Sequence, residues 1–394
     1  RTFKELEQES SRLASGLIQF GMKSGERVLL MVPYGIDFVT LTFAMFKAGL
    51  VPVLIDPGLG KKNVLKCIKQ VQPHGMIAVP LAHAIKKFFP STFKSIQHNV
   101  TVGSRWFWGG TTLNKLHDSG KEDFKMAVME KNHPAAILFT SGSTGPAKGV
   151  LFSHGIFNHQ VRILQEQFNI TPDETDLPTF PLFGLFSIGL GITSIIPEMD
   201  STKPARVDPK NIIDPIQNYK ISSSFGSPAL WDTVSQYCLS QNIQLPSLKR
   251  IIMAGAPVSG DLLARFENII DKNCKIYTPY GATEVLPVSL IDRREILDET
   301  WSLSSQGKGT CVGYPIPGVE IKIIEITDQP ILNWQDVKEF DANIVGEIVV
   351  KADWATRTYF NRQDLTKLAK IEDGNSFWHR MGDLGRLDEK NRLW

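Results

Sequence analysis

Three observations predict an α/β protein of layered, mostly parallel sheets with helices on both faces, plus a smaller β-rich subdomain. Short apolar runs alternate with helical stretches, the runs are near-continuously apolar, and the texture turns to charged, alternating strands late in the chain. The elements follow in order. Phe3, Leu6, Leu13, Leu17 and Phe20 recur at a helical period and stop at Gly21. RVLLMVP (27–33) is a strand, DFVTLTFAMFKAG (37–49) an apolar helix and VPVLID (51–56) a second strand, a β-α-β unit leaving through Asp56-Pro57-Gly58. Further strands are expected at 75–80, 135–140, 222–226, 249–255 and 275–281. Beyond residue 310, VEIKIIEI (319–326) and GEIVVKA (346–352) alternate, and no long helix is expected. The predicted organisation is a core over 1–310, itself in two parts meeting near 175, and a β-rich subdomain over 311–394.

Composition narrows the function classes. Hydrophobic residues at 42% and charged residues at 21% exclude bulk disorder. A formal net charge of +2 gives no long-range reason to seek nucleic acid or an anionic membrane, and the pairs Lys61-Lys62 and Lys86-Lys87 read as solvated helix faces. Cys67, Cys238, Cys274 and Cys311 lie far apart, so neither a disulfide framework nor a zinc site is expected, and a reducing cytoplasm fits. The chain begins at Arg1 with no signal-peptide pattern, which predicts trimming at that end. Leu177–Pro197 carries no charge and is long enough to span a bilayer, but Pro178, Pro181, Gly184, Gly189 and Gly191 point to a buried loop and helix beside a pocket.

Four segments carry chemistry. Thr140-Ser141-Gly142-Ser143-Thr144-Gly145-Pro146-Ala147-Lys148-Gly149 combines hydroxyls, glycines and a lysine between two strands. Glycines admit backbone N–H groups to anionic oxygens, hydroxyls add donors and Lys148 adds a point charge, an inventory for a polyphosphate. It is not the strand–loop–helix P-loop, because Gly149 follows the lysine. Tyr280-Gly281-Ala282-Thr283-Glu284 follows a strand: a tyrosine face for a planar base, a glycine for close approach and a hard carboxylate for a phosphate-borne Mg²⁺. Glu284 at a helix N-terminus is the plainer alternative. Ala254-Gly255-Ala256-Pro257 presents backbone to a base edge, or is an ordinary strand-to-helix turn. Met381-Gly382-Asp383-Leu384-Gly385 offers a carboxylate for two ribose hydroxyls, or is a surface Asp turn.

Together and in this order, the four resemble the adenylate-forming superfamily of acyl-CoA synthetases, peptide-synthetase adenylation domains and firefly-type luciferases. The resemblance runs over essentially the whole chain. It is strongest to the fatty acyl-CoA ligase-like branch that includes olefin-pathway β-lactone synthetases, through FPLFGLFSIGLG, FGSPALW, AGAPVSGDLL, YGATEVLPVS and FWHRMGDLGRLDE. It implies the large N-terminal core of such an enzyme, with a C-terminal lid and its lysine expected beyond Trp394. It implies that Thr140, Ser141, Gly142, Ser143, Thr144, Gly145 and Lys148 hold the β- and γ-phosphates. Gly255, Ala256 and Pro257 would line adenine, Tyr280 would stack on it beside Gly281 and Ala282, Thr283 would approach the α-phosphate, Glu284 the Mg²⁺ and Asp383 the ribose. Many acyl-CoA synthetases carry Pro-Leu-Phe-His near the acid pocket; here Gly184 follows Pro181-Leu182-Phe183.

The activity so implied is ATP-dependent activation of a long apolar carboxylic acid to acyl-AMP with loss of pyrophosphate, catalysed with Lys148, Thr283 and Glu284. Phe183, Gly184, Phe186, Gly226 and Ser227 would wall the acid pocket. Transfer to CoA is the first expectation; closure by the acid's own β-hydroxyl to a β-lactone is the alternative, favoured by Gly184 and the branch. ATP and Mg²⁺ are the expected cofactors, CoA a possible second substrate, and enzymes of a lipid pathway possible partners. Readings of another class are a non-catalytic ATP- or AMP-binding module and a membrane-associated lipid-binding protein. Acid-dependent ATP–pyrophosphate exchange separates the enzyme from both.

Overall fold

The structure is a computed structural model and describes residues 1–140 and 147–394. It divides into two compact units: residues 1–158 with 356–366, and residues 159–355 with 367–394.

The first unit is built on a sheet whose strands, in chain order, are β1 (Arg27–Met31), β2 (Val51–Ile55), β3 (Gly75–Ala78), β4 (His98–Thr101), β5 (Thr111–Thr112), β6 (Pro134–Thr140) and β7 (Lys148–Ser153). Among the described residues the spatial order is β5-β4-β3-β1-β2-β6-β7. Every pairing is parallel except the last: β6 and β7 form an antiparallel hairpin with Thr140 opposite Lys148. The first helix, Phe3–Gln19, opens with a capping box in which Thr2 Oγ1 accepts from the Glu5 amide and Glu5 accepts from the Thr2 amide. The cap puts Phe3 in the first turn at the edge of the fold. It is exposed, whereas Leu13 and Leu17 are buried as their period requires. Asp56 closes the exit of β2 by accepting from the Gly58 amide at 2.8 Å.

The second unit carries two sheets. The larger holds β8 (Thr175–Pro178), β9 (Thr193–Ser194), β10 (Ser223–Gly226), β11 (Arg250–Met253), β12 (Lys275–Ala282), β13 (Val285–Asp292) and β14 (Tyr314–Pro315), ordered β14-β13-β12-β11-β10-β8-β9. It is parallel from β9 to β12; β13 and β14 return antiparallel. Leu177, Ile251, Met253 and Ile276 point from one face into a core with Trp231, Leu262 and Phe266 of the covering helices. Ser223, Phe225 and Ile252 point the other way, so both faces are covered and the strands read as continuous apolar runs. The smaller sheet, β15 (Glu320–Ile324), β16 (Gly346–Lys351), β17 (Lys370–Asp373) and β18 (Ser376–Gly385), is antiparallel throughout in the order β15-β16-β18-β17. Among the described residues, no helix is long and apolar enough to cross a membrane. The uncharged Leu177–Pro197 stretch instead contributes the end of β8 and a nine-residue helix, Pro181–Gly189.

Candidate functional site

The β6–β7 hairpin carries the Ser/Thr/Gly-rich segment on the first unit. Ser141, Gly142, Ser143, Thr144 and Gly145 lie outside the described residues, and Thr140 is placed by its backbone as the last residue of β6. Lys148 opens β7. Its ammonium rests 5.2 Å from the ring centroid of Tyr359, which the Val150–Tyr359 bridge ties to the same hairpin. A cation held over an aromatic face is attracted to it and its range of rotamers narrows.

The other three segments lie on the second unit, and two of them meet. Tyr280 is near the end of β12 and Asp383 is on β18, and the tyrosine hydroxyl donates to Asp383 Oδ2 at 2.7 Å. Burial raises the phenol's pKa and the adjacent Asp383 charge raises it further, so Tyr280 stays a neutral donor. A carboxylate offers about four acceptor positions and Tyr280 takes one, so Asp383, which is exposed, keeps acceptor capacity for a ligand. Asp383 is therefore part of a strand, not of a free surface turn. Its neighbour Arg380 is pinned inside the sheet. Nε donates to Glu347 Oε1 at 2.9 Å, Nη2 to Oε2 at 2.6 Å, and Nη1 to the carbonyls of Gln329 and Leu368.

Thr283 and Glu284 form the turn joining β12 to β13, not a helix N-terminus. The antiparallel return through β13 was hidden in the sequence by Pro287, a residue that weakens any strand reading. Gly281 is fixed by that turn: a Cβ there would lie 2.7 Å from the Val285 carbonyl oxygen and 2.8 Å from Leu286 Cδ1, at a register shift between Tyr280 and Ala282. Gly255, Ala256 and Pro257 are exposed in the loop from β11 to the helix Gly260–Arg265. Gly255 has φ +95°, a region glycine favours, with nothing within 4 Å of the Cβ it lacks. Backbone there is open to approach.

Below these segments lies an apolar cavity of about 730 Å³, counted out to open solvent. Register explains its course. Asp176, Ser223 and Arg250 are neighbours across β8, β10 and β11; Phe225, Ile252 and Tyr277 form the next row on that face. Ala254 and Pro279 follow two residues on, beside Gly255 and Tyr280. From the Ser223 row to the Ala254 row is four residues, about 13 Å at the strand rise. Phe183 and Phe186 from the uncharged helix close the side, with Phe183 stacked on Phe225 at 3.4 Å between centroids.

Both expected phenylalanines thus line the cavity, and Gly184 is buried in the same helix. Gly226 and Ser227 have other duties. A Cβ at Gly226 would meet Trp231 Nε1 at 2.7 Å, so the glycine admits the indole, and Ser227 Oγ accepts from the Leu230 amide as a helix cap.

Sequence reasoning missed the polar members of this wall. Asp176 is buried at the floor and accepts from Ser187 Oγ at 2.6 Å. Burial raises its carboxyl to about 6, against the lowering by Ser187 and Ser223. Behind it, Arg250 pairs with Glu174 and donates to the Phe168 carbonyl at 2.9 Å. Gln160, on the helix His154–Phe168, is 5% exposed. Its Nε2 donates to the Leu286 carbonyl at 3.0 Å, and its Oε1 is buried without a partner among the described residues. The only sequence signal was a glutamine inside an otherwise amphipathic helix.

The AMP-binding enzyme family model matches residues 1–360. The chain belongs to this family. It is thus an adenylate-forming enzyme, as its four segments imply. It is 41% identical over 401 residues to the olefin beta-lactone synthetase of Stenotrophomonas maltophilia, covering 100% of this chain and 71% of that one. The long-chain-fatty-acid–CoA ligase of Thermus thermophilus is 24% identical, over 99% of this chain and 70% of that protein. A long-chain-fatty-acid–CoA ligase from Archaeoglobus fulgidus superposes with a TM-score of 0.81 at 22% identity, covering 100% of this chain and 76% of that one, a likeness of fold.

Proposed function

We propose that this enzyme uses ATP to convert a long β-hydroxy acid to its acyl-AMP, and that the acyl-AMP closes on its own β-hydroxyl to give a β-lactone. The observation that carries the choice is Gln160. Gln160 lines the apolar cavity together with Leu286, next to the Thr283–Glu284 turn, and its Oε1 is buried without a partner among the described residues, within reach of a hydroxyl only if the side chain shifts towards the cavity. A buried acceptor without a donor costs about 1–3 kcal/mol. A plain fatty acid brings no hydroxyl to relieve it, whereas a β-hydroxy acid brings one two carbons from the carboxylate. Gly184, in the position where many relatives of the resemblance have a gating histidine, and the 41% identity to an olefin beta-lactone synthetase favour the same reading.

In the first step the acid oxygen attacks the α-phosphorus and the bond to the β-phosphate breaks, releasing pyrophosphate. The chain's part is positioning and charge neutralisation. Lys148 would face the departing phosphates, Tyr280 would offer its ring to adenine, and Asp383 would accept from the ribose. Glu284 suits Mg²⁺ that arrives on the nucleotide: it is a hard oxygen donor, and among the described residues no cluster of three or more His, Cys, Asp or Glu stands ready to hold a metal alone. When bound, that ion neutralises phosphate charge. In the second step the β-hydroxyl oxygen attacks the acyl carbon, the bond to the AMP oxygen breaks, and the hydroxyl proton leaves to the released phosphate. Gln160 orients the hydroxyl; its amide takes no proton. The apolar cavity takes the chain.

The test is product analysis with the whole gene product, ATP and Mg²⁺, offering a long β-hydroxy acid and its unsubstituted counterpart with and without CoA. The expected result is AMP and lactone from the hydroxy acid without CoA. Thioester with CoA and no lactone without it would assign the enzyme to acyl-CoA ligation instead. Gln160→Leu should lower the preference for the hydroxy acid about tenfold, the worth of one hydrogen bond.

A further inference from the structure

The net charge of +2 hides a strong asymmetry. Residues 57–117 hold nine Lys or Arg and no Asp or Glu. Within this stretch the nine-residue helix Pro80–Phe88 is apolar on two sides. Ala82 and His83 are buried; the His83 ring stacks on Trp108 at 5.4 Å, and its Nε2 lies 2.9 Å from the Val100 carbonyl oxygen. Leu81, Ile85 and Phe88, at i, i+4 and i+7, share the opposite stripe and face water, with Phe88 79% and Leu81 70% exposed.

The loop before β5 enlarges this stripe. Trp106 and Phe107 each pack against Trp108 at 5.4 Å, yet remain 60% and 70% exposed. The Lys87 ammonium lies 5.9 Å over the Phe107 ring, which joins helix and loop into one patch. Lys94 and Arg105 of the same stretch are also exposed. A single exposed leucine is ordinary; a linked group of exposed aromatic and aliphatic side chains marks an interaction surface.

We propose that this patch docks the protein on an anionic lipid surface. Aromatic rings settle at the headgroup level, and lysine stems lie along apolar surface while their ammonium groups reach lipid phosphates. Lys87 at the patch gains from a negative leaflet, and no carboxylate in residues 57–117 opposes it. The surface belongs wholly to the first unit and is independent of the acid that the enzyme activates.

Co-sedimentation of the protein with vesicles tests it, using three parts phosphatidylcholine to one part phosphatidylglycerol against phosphatidylcholine alone. Binding is expected to the anionic vesicles, with a blue shift of tryptophan emission, and should fall when salt is raised from about 0.1 M to about 0.5 M. The triple variant Phe88→Ser, Trp106→Ser, Phe107→Ser should lose at least about tenfold in vesicle binding. Lys87→Glu with Lys94→Glu should weaken anionic-vesicle binding alone. Both variants should keep the parent's melting temperature and pyrophosphate exchange. Absence of pelleting, equal pelleting with both lipids, or unchanged binding of the triple variant would overturn the proposal. So would self-association without lipid that the triple variant abolishes, which would assign the patch to a second copy of the chain.

Discussion

Replacing Asp176 by Asn tests the reading of the cavity floor. The carboxyl is buried, and burial moves it from 3.8 to about 6. Its folded-state pKa is raised, so the folded protein binds the proton more tightly than the unfolded chain. Stability therefore falls as pH rises from about 4 to about 6 and is level above. The ionised carboxylate costs the folded state about 3 kcal/mol at neutral pH, at 1.36 kcal/mol for each tenfold change in proton affinity. Asn keeps an oxygen to accept from Ser187 and removes the charge. Urea unfolding of both proteins at a series of pH values measures the difference, and groups common to both cancel. The variant should be about 3 kcal/mol the more stable at pH 8, and the advantage should shrink towards zero near pH 4. A difference that is flat across this range, or a variant less stable at pH 8, would refute a charge held at the floor by burial.

Three further outcomes follow from the same geometry. If Lys148 faces the departing phosphates as proposed, Lys148→Ala should lower acid-dependent ATP–pyrophosphate exchange by at least about a hundredfold through loss of that point charge; unchanged exchange would remove Lys148 from the site. Tyr280→Phe removes the donor to Asp383 and should raise the ATP KM about tenfold with a smaller change in kcat, the worth of a hydrogen bond to a charged group, read from initial-rate kinetics. Arg380→Met leaves Glu347 buried without its partner and should cost about 3–5 kcal/mol by urea unfolding, with Glu347→Gln/Arg380→Met less damaging than the single change.

The sequence made the sheets legible because parallel strands buried on both faces are locally unambiguous: residues 28–31, 51–55 and 251–253 are runs of apolar side chains with no competing period. It made the order of the four chemical segments legible because glycines and hydroxyls have few other reasons to cluster. It hid whatever depends on a partner distant along the chain. Pro287 disguised β13, so the turn at Thr283 and Glu284 read equally well as the start of a helix. Tyr280 and Asp383 are 103 residues apart, and only the folded chain brings the hydroxyl on β12 to the carboxylate on β18. The cavity shows the same limit more sharply. Its apolar wall was foreseen through Phe183 and Phe186, whose composition announces burial. Its polar atoms were not, because Asp176 and Gln160 are ordinary polar letters until register sets one at the floor and a carbonyl at 3.0 Å orients the other.

Those two residues divide the cavity by chemistry. The Asp176 row and the Ala254 row are about 13 Å apart. On the proposed function, a chain entering beside Tyr280 would leave its polar head near the upper row and run past Phe183, Phe225 and Ile252 towards a carboxylate. An apolar tail long enough to reach Asp176 would meet a buried carboxylate, so on this reading the floor would set an upper limit on chain length. Asp176→Asn should relax that limit along with the stability cost. The shift in chain-length preference can be measured by pyrophosphate exchange over a homologous series of acids. A series unchanged by the substitution would place the tail elsewhere, even if the stability prediction held.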